Sequence, residues 1–436
     1  MKIFKIAFVL IGIILFSCSK ETVLETKILS PDSSVEIAFN LTDDGQPTYK
    51  IIVNNEEVIK TSSLGFDLKN QSSLNNNFKL INSNVSSFSE VWEMPWGEQI
   101  EVENNYNELK IELQEITDLK RKLNIVFKAY DDGVGFRYEF PEQENLSEVY
   151  ITNENTQFNL TDNHKVWWIP GDWDIYEHLY STTLFSKIDA KEKANHNDLA
   201  QTSIPENAVN TPVTMKTNNG LYLSFHEASL VDYAGMTLKV DTTNLSMVSN
   251  LVGSDNNDYK VKRTVPFHTP WRTIQIAENA SDLIESNLIV NLNEPNKLED
   301  VSWFKPTKYT GIWWEMHLGK SSWDKASGKH GATTENAKAF IDFSAKNNIG
   351  AVLVEGWNTG WEHWIGFEDR EGVFDFVTPY SDYDLKEVVR YGKEKGVEII
   401  MHHETSAATK TYEKQQDTAY ALMQSLGIHT VKTGYV

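Results

Sequence analysis

Three glutamates in the last third of the chain each close a short apolar run. Glu315 lies in Trp313-Trp314-Glu315-Met316-His317, Glu355 in Val354-Glu355-Gly356-Trp357-Asn358, and Glu404 in His402-His403-Glu404-Thr405-Ser406. Lys432 stands in a fourth such run. Hydrolysis of a glycosidic bond asks for paired carboxylates, one to deliver a proton and one to activate water or attack. The neighbouring indoles, Trp313 and Trp314 first among them, offer flat apolar faces to the C–H side of a sugar ring, while carboxylates take its hydroxyls. A single glutamate at a strand end is an ordinary solvated residue; three in register beside tryptophans point to carbohydrate. His402 and His403 with Glu404 are also candidate metal ligands. Adjacent strand residues face opposite ways, however, and the helical His-Glu-x-x-His of zinc proteases is absent.

Alternating strands and helices must position these residues. Residues 309–316 read as a first strand, 334–347 as a helix with Ala337, Phe340 and Ile341 on one face, and 350–355 as a second strand. Ser381-x-x-Asp384 opens a helix carrying Leu385, Val388 and Val389, residues 398–401 form a third strand, 411–426 a helix, and 430–436 a fourth strand. Such alternation implies parallel βα units, either an open sheet or a closed barrel. No Gly-rich phosphate fingerprint follows the first strand, and the candidate residues all fall at strand C-terminal ends, where barrel enzymes build their sites. A (β/α)8 barrel takes roughly 250 residues. Residues 306–436 are therefore expected to be the first half of one, a truncated TIM barrel of about four βα units. An incomplete coding sequence accounts for this most simply, a dimerising half-barrel being the alternative.

The preceding stretch is different. Between about residues 28 and 293, short alternating runs such as 34–39, 109–113 and 123–127 are separated by Asn, Asp and Gly clusters, including Asp43-Asp44-Gly45 and Asn218-Asn219-Gly220. Many short strands over this length suggest a large β-sandwich, giving a multidomain β plus α/β chain. The first residues, Met1-Lys2-Ile3-Phe4-Lys5, lead into an apolar run, 6–16, too short to span a bilayer. Leu15-Phe16-Ser17-Cys18 resembles a lipoprotein processing site, and Cys18 is the sole cysteine, so no internal disulfide can form. Residues 1–17 are read as a lipoprotein signal peptide, Cys18 as the lipidation site, and the location as the periplasm or cell envelope, held to a membrane by a lipid anchor. The net charge of −22 is spread along the chain and repels phosphate backbones, which excludes nucleic acid as a partner. A monomer is expected.

Several of these stretches together resemble glycoside hydrolase family 97. In the first part they are Asp132-Gly133-Val134-Gly135-Phe136-Arg137-Tyr138, Trp168-Ile169-Pro170 with Tyr176-Glu177, and His226-Glu227-Ala228. In the second they are the motifs around Glu315, Glu355 and Glu404, and Val431-Lys432-Thr433-Gly434-Tyr435-Val436. The resemblance covers nearly the whole mature chain and is nearest to the inverting α-glucosidases of Bacteroidetes starch utilisation. It implies a β-super-sandwich over residues 18–305 followed by the catalytic barrel from 306. It implies Glu177 as a Ca²⁺ ligand, Glu404 as a base that activates water, and His402 and Lys432 as substrate contacts. Trp313, Trp314, Glu315 and Glu355 are counted with them as substrate-binding residues. Retaining members carry a nucleophilic Asp just after the fourth-strand Lys; Gly434 stands there, leaving room for water as an inverting site needs. The family's general acid, second base and remaining calcium ligands lie past the fourth strand, so the chain alone is expected to be inactive. A calcium-dependent inverting α-glucosidase acting on starch-derived oligosaccharides is the expectation. A retaining α-galactosidase of the same family and a non-catalytic carbohydrate-binding lipoprotein are the rivals.

Overall fold

The computed structural model describes residues 26–434 apart from 174, 194–201, 255, 304 and 364–369. The signal segment and Cys18 lie outside the described residues. The chain divides into two compact units, one of residues 1–94 and 101–297, the other of residues 95–100 and 298–436. The division thus falls at Lys297 rather than after residue 305. No helix among the described residues is long and apolar enough to cross a membrane.

The strands of the first unit pair antiparallel, in an eight-stranded sheet and a ten-stranded sheet with a smaller three-stranded one, and four short helices accompany them among the described residues. The alternation read from sequence is the alternation observed. Val35–Leu41 and Lys122–Tyr130 are strands, and Leu109, Ile111 and Leu113 are buried within Glu101–Glu115 while Lys110 and Glu112 are only part-buried. The two large sheets join through aromatic rings, Phe39 against Phe127 at 6.1 Å, Tyr49 against Phe136 at 4.9 Å, and Phe158 against Phe225 at 5.4 Å. On the other face of the ten-stranded sheet Leu288 and Leu292 cover the strand Gly133–Phe140. That approach explains the glycines of the Asp132 motif: a Cβ on Gly135 would sit 2.5 Å from Leu292 Cδ1, and one on Gly133 2.4 Å from the Ile274 carbonyl oxygen.

One buried ionic network crosses this unit. Arg272 donates from Nε and Nη2 to the two oxygens of Glu154 at 2.7 and 2.6 Å, and from Nη1 to Glu227 Oε2 at 2.6 Å. Tyr233 and Thr156 donate to Glu154, and the Met236 amide to Glu227, so each carboxylate is held by several donors. Burial still pushes the Glu227 carboxyl above its ordinary range, with Arg272 working against it. A buried pair that loses one partner leaves an uncompensated charge. Arg272→Met is therefore expected to destabilise the unit by about 3–5 kcal/mol, measured by urea unfolding followed by circular dichroism. An unchanged midpoint would refute it.

The second unit, labelled by itself, runs β1 (Tyr309–Gly311), α1 (Trp313–His317), α2 (Thr334–Lys346), β2 (Ala351–Leu353), α3 (Leu385–Lys395), β3 (Glu398–His403), α4 (Thr409–Leu426) and β4 (Thr430–Thr433). The four strands pair in chain order and all in parallel. Ala337 and Ile341 of α2 and Val388 of α3 are fully buried with Val352, and Leu385 and Val389 pack in the same core. Two expectations are corrected. The first strand stops at Gly311, and Trp313-Trp314-Glu315-Met316-His317 turns as a helix; the Trp313 ring folds back so closely over Gly311 that a Cβ there would meet Nε1 at 2.5 Å. The cap of α3 is Asp384, whose carboxylate accepts from the Glu387 amide at 3.0 Å, while Ser381 binds Lys325 instead.

Candidate active site

Parallel register brings the site together. Leu353 of β2 pairs with Ile400 of β3, and Ile400 with Thr430 of β4. Two residues further along each strand path, on the same face, come Glu355, His402 and Lys432. Their side chains meet accordingly. Lys432 Nζ donates to Glu355 Oε1 at 2.9 Å, and His402 Nε2 stands 3.7 Å from the same oxygen. Gly356 turns the chain immediately afterwards with φ of +81°, and a Cβ there would lie 2.7 Å from the Trp323 carbonyl oxygen. Trp323 is thereby laid beside Glu355 and donates its indole N–H to Oε2 at 3.4 Å.

Glu404 is the next same-face residue after His402 and is 3% exposed. Burial pushes its carboxyl up to about 7; the neighbouring Glu355 adds to the rise, while the Ser406 amide, Lys432 and Arg370 oppose it. A carboxylate so placed is a stronger base than an exposed one and is about half ionised at neutral pH. The same burial pulls the His402 imidazole down to about 4, with Lys432 adding to the fall and Glu355 resisting it, so the ring is neutral at pH 7. Among the described residues its buried Nδ1 has no hydrogen-bond partner. His403 faces the other way, as neighbouring strand residues must, with Nδ1 3.1 Å from the Tyr412 hydroxyl and its ring against Phe376.

Of the expected site residues the structure gathers Glu355, His402, Glu404 and Lys432. Glu315 is not among them: helix α1 carries it to Asn336 at the start of α2, whose Nδ2 donates to Oε2 at 3.1 Å. Trp314 is well exposed, and Trp313 packs against Ala351, Leu353 and Ile400. Most of the other indoles build the wall rather than lie open. The Trp361 ring stacks on Trp323 at 6.2 Å and on His402 at 5.8 Å, and Trp357 donates to the His402 carbonyl oxygen at 2.7 Å. Trp364 lies outside the described residues. Asn358, which accepts from Trp361 Nε1 at 3.2 Å, and Ser406 stand in the motifs around Glu355 and Glu404 but carry no chemistry that singles them out, and Arg370, bonded to Ser406, lies outside any motif.

Glu177 belongs to the first unit, exposed on a loop pinned from beneath. Asp172 accepts from the Ile175 and Thr202 amides and from Thr202 Oγ1, and lies 3.1 Å from His178 Nε2. Calcium takes six to eight oxygens. Among the described residues no three His, Cys, Asp or Glu gather closely enough to hold a metal ion, so Glu177 has no two such side chains beside it for that role among them.

Comparison with known proteins agrees with this geometry. Residues 28–295 match the family described as Glycosyl-hydrolase 97 N-terminal, and residues 313–436 that described as Glycoside hydrolase 97. A retaining alpha-galactosidase of Bacteroides thetaiotaomicron is 24% identical over 463 residues, covering 99% of this chain and 63% of its own length. A glycoside hydrolase family 97 enzyme of Pseudoalteromonas sp. strain K8 in complex with acarbose is 40% identical, with a TM-score of 0.84 over 94% of this chain and 59% of that one. A variant of that enzyme in complex with panose matches to the same degree. The chain thus spans about three-fifths of the length of these relatives. With both halves matched in order, the chain belongs to glycoside hydrolase family 97.

Proposed function

We propose that the protein carrying this chain is an inverting α-glucosidase acting on starch-derived oligosaccharides, with Glu404 as a base that draws the proton from the attacking water. The observation that carries the reading is Gly434. It stands two residues after Lys432, at the position of the retaining nucleophile, and brings no carboxylate there. An inverting site keeps its two carboxyl groups roughly 6.5–9.5 Å apart so that water fits between base and sugar, and a glycine in place of a carboxylate suits that requirement. The 40% identical Pseudoalteromonas enzyme, studied with acarbose and panose, supports the gluco configuration, since both are α-linked gluco-oligosaccharides or mimics of them. Lys432 would donate to the hydroxyls of the sugar, Glu355 would accept from them, and the neutral His402 can do either. A (β/α)8 barrel is the architecture we propose for the parallel βα units, and the activity is proposed for a protein of the relatives' full length.

The competing reading, a retaining α-galactosidase, is favoured by the name of the Bacteroides relative. Glu177 is proposed as an oxygen donor to Ca²⁺ and Cys18 as a lipid anchor in the cell envelope; both follow from the family likeness and the N-terminal motif.

Proton NMR of the first product released from an α-glucoside decides the stereochemistry: β-glucose first is expected, and α-anomer first would sink the inverting mechanism. In the same protein Glu404→Gln should lower kcat by about 10²–10⁴-fold while oligosaccharide binding persists, as isothermal titration would read. Because the carboxyl is raised, it is protonated and inert as a base below its midpoint. Turnover should therefore rise with pH through about 7, and a profile flat from pH 5 to 8 would contradict the assignment.

A further inference from the structure

We infer that Arg370 is a positioning residue for Glu404, acting through the left-handed turn at Ser406 and Ala407. The inference deepens the reading of Glu404 as a base and rests on it only for its functional meaning. Arg370 lies between β2 and α3 and sends Nη1 to Ser406 Oγ at 3.2 Å. Ser406 is fully buried, and its amide donates to Glu404 Oε1 at 2.7 Å. Both turn residues carry positive φ, 47° at Ser406 and 59° at Ala407, which L-residues other than Asn and Asp adopt mainly where their surroundings impose it.

Two restraints impose it here. The turn is closed by the Ala408 amide on the Thr405 carbonyl at 2.8 Å, and Arg370 holds the side chain of Ser406 from outside. The base of Arg370 is itself tied to α4, the helix into which the turn leads. Gly372 donates its amide to Thr411 Oγ1 at 2.6 Å, Glu371 accepts from the same hydroxyl, Phe376 donates its amide to Gln415 Oε1 at 3.1 Å, and Gln415 returns a bond to the Phe374 carbonyl at 2.9 Å. Arginine suits the task because its planar fork can hold a hydroxyl while keeping its charge near the carboxylate. The charged and titratable groups around Glu404 are Glu355 past β2, Lys432 on β4, His402 and His403 on its own strand, and Arg370. Arg370 and Lys432 favour the ionised form, and Glu355 opposes it.

A simple loop tether would leave the titration of Glu404 unmoved, so that titration is the readout. In this chain, labelled with ¹³C-glutamate and assigned by Glu404→Gln, the Glu404 midpoint is expected to rise by about one pH unit in Arg370→Ala. Arg370→Lys, which keeps the cation without the fork, should move it less. Ser406→Ala, which removes the hydroxyl but not the amide, should also move it upward. An unchanged midpoint in folded Arg370→Ala overturns the inference; if that variant does not fold, unchanged midpoints in both Arg370→Lys and Ser406→Ala do so. The measurement needs no turnover. A shifted midpoint in a protein that cleaves no glycoside would sink the hydrolase reading alone and leave Arg370 in its role.

Discussion

The site depends on register. Three parallel strands pair so that Leu353, Ile400 and Thr430 lie level, and a step of two residues along each path delivers Glu355, His402 and Lys432 to one place. A slip of one residue in any strand would turn its functional side chain to the opposite face. What pins the register is therefore as much a part of the chemistry as the side chains are. The pins are ordinary: Val352, Val388 and Ile341 packed with no exposure between sheet and helices, and left-handed glycines at Gly396 and Gly427 that end α3 and α4 and return the chain to the sheet.

Once assembled, the same enclosure sets the protonation states. Water is kept away by Trp361, stacked on Trp323 and His402, and by the buried Trp357, which donates to the His402 carbonyl oxygen. Loss of hydration penalises every charged form, which raises the Glu404 carboxyl and lowers the His402 imidazole together. Lys432 counters this for Glu404 and reinforces it for the histidine. These three rings make the site dry rather than offering a surface to sugar.

Much of this was legible in the sequence. Helices expected over 334–347 and 411–426 occur as Thr334–Lys346 and Thr409–Leu426, because apolar periodicity there is long enough to be unambiguous. The strands carrying Leu109, Ile111 and Leu113 or Leu123, Ile125 and Phe127 were equally plain. The stretch at Trp313 was not, since five residues of mixed polarity after a strand read as more strand. They turn as a helix with the Trp313 ring folded over Gly311, and the helix carries Glu315 to Asn336. Arg272 lies 118 and 45 positions from its two carboxylate partners, and Arg370 lies 36 from Ser406. Pairings of that span carry no local signal.

Gly434 carries a constraint of its own: its φ of +92° is one that a side-chain-bearing residue resists. Left-handed backbone costs an L-residue about 1–2 kcal/mol. On the reading proposed above, a lineage moving between the two stereochemical outcomes at this position could not do so by one codon change alone without loss. The strand end would have to relax first or along with it. Such a barrier would keep the two branches of a family distinct long after their sequences had drifted elsewhere.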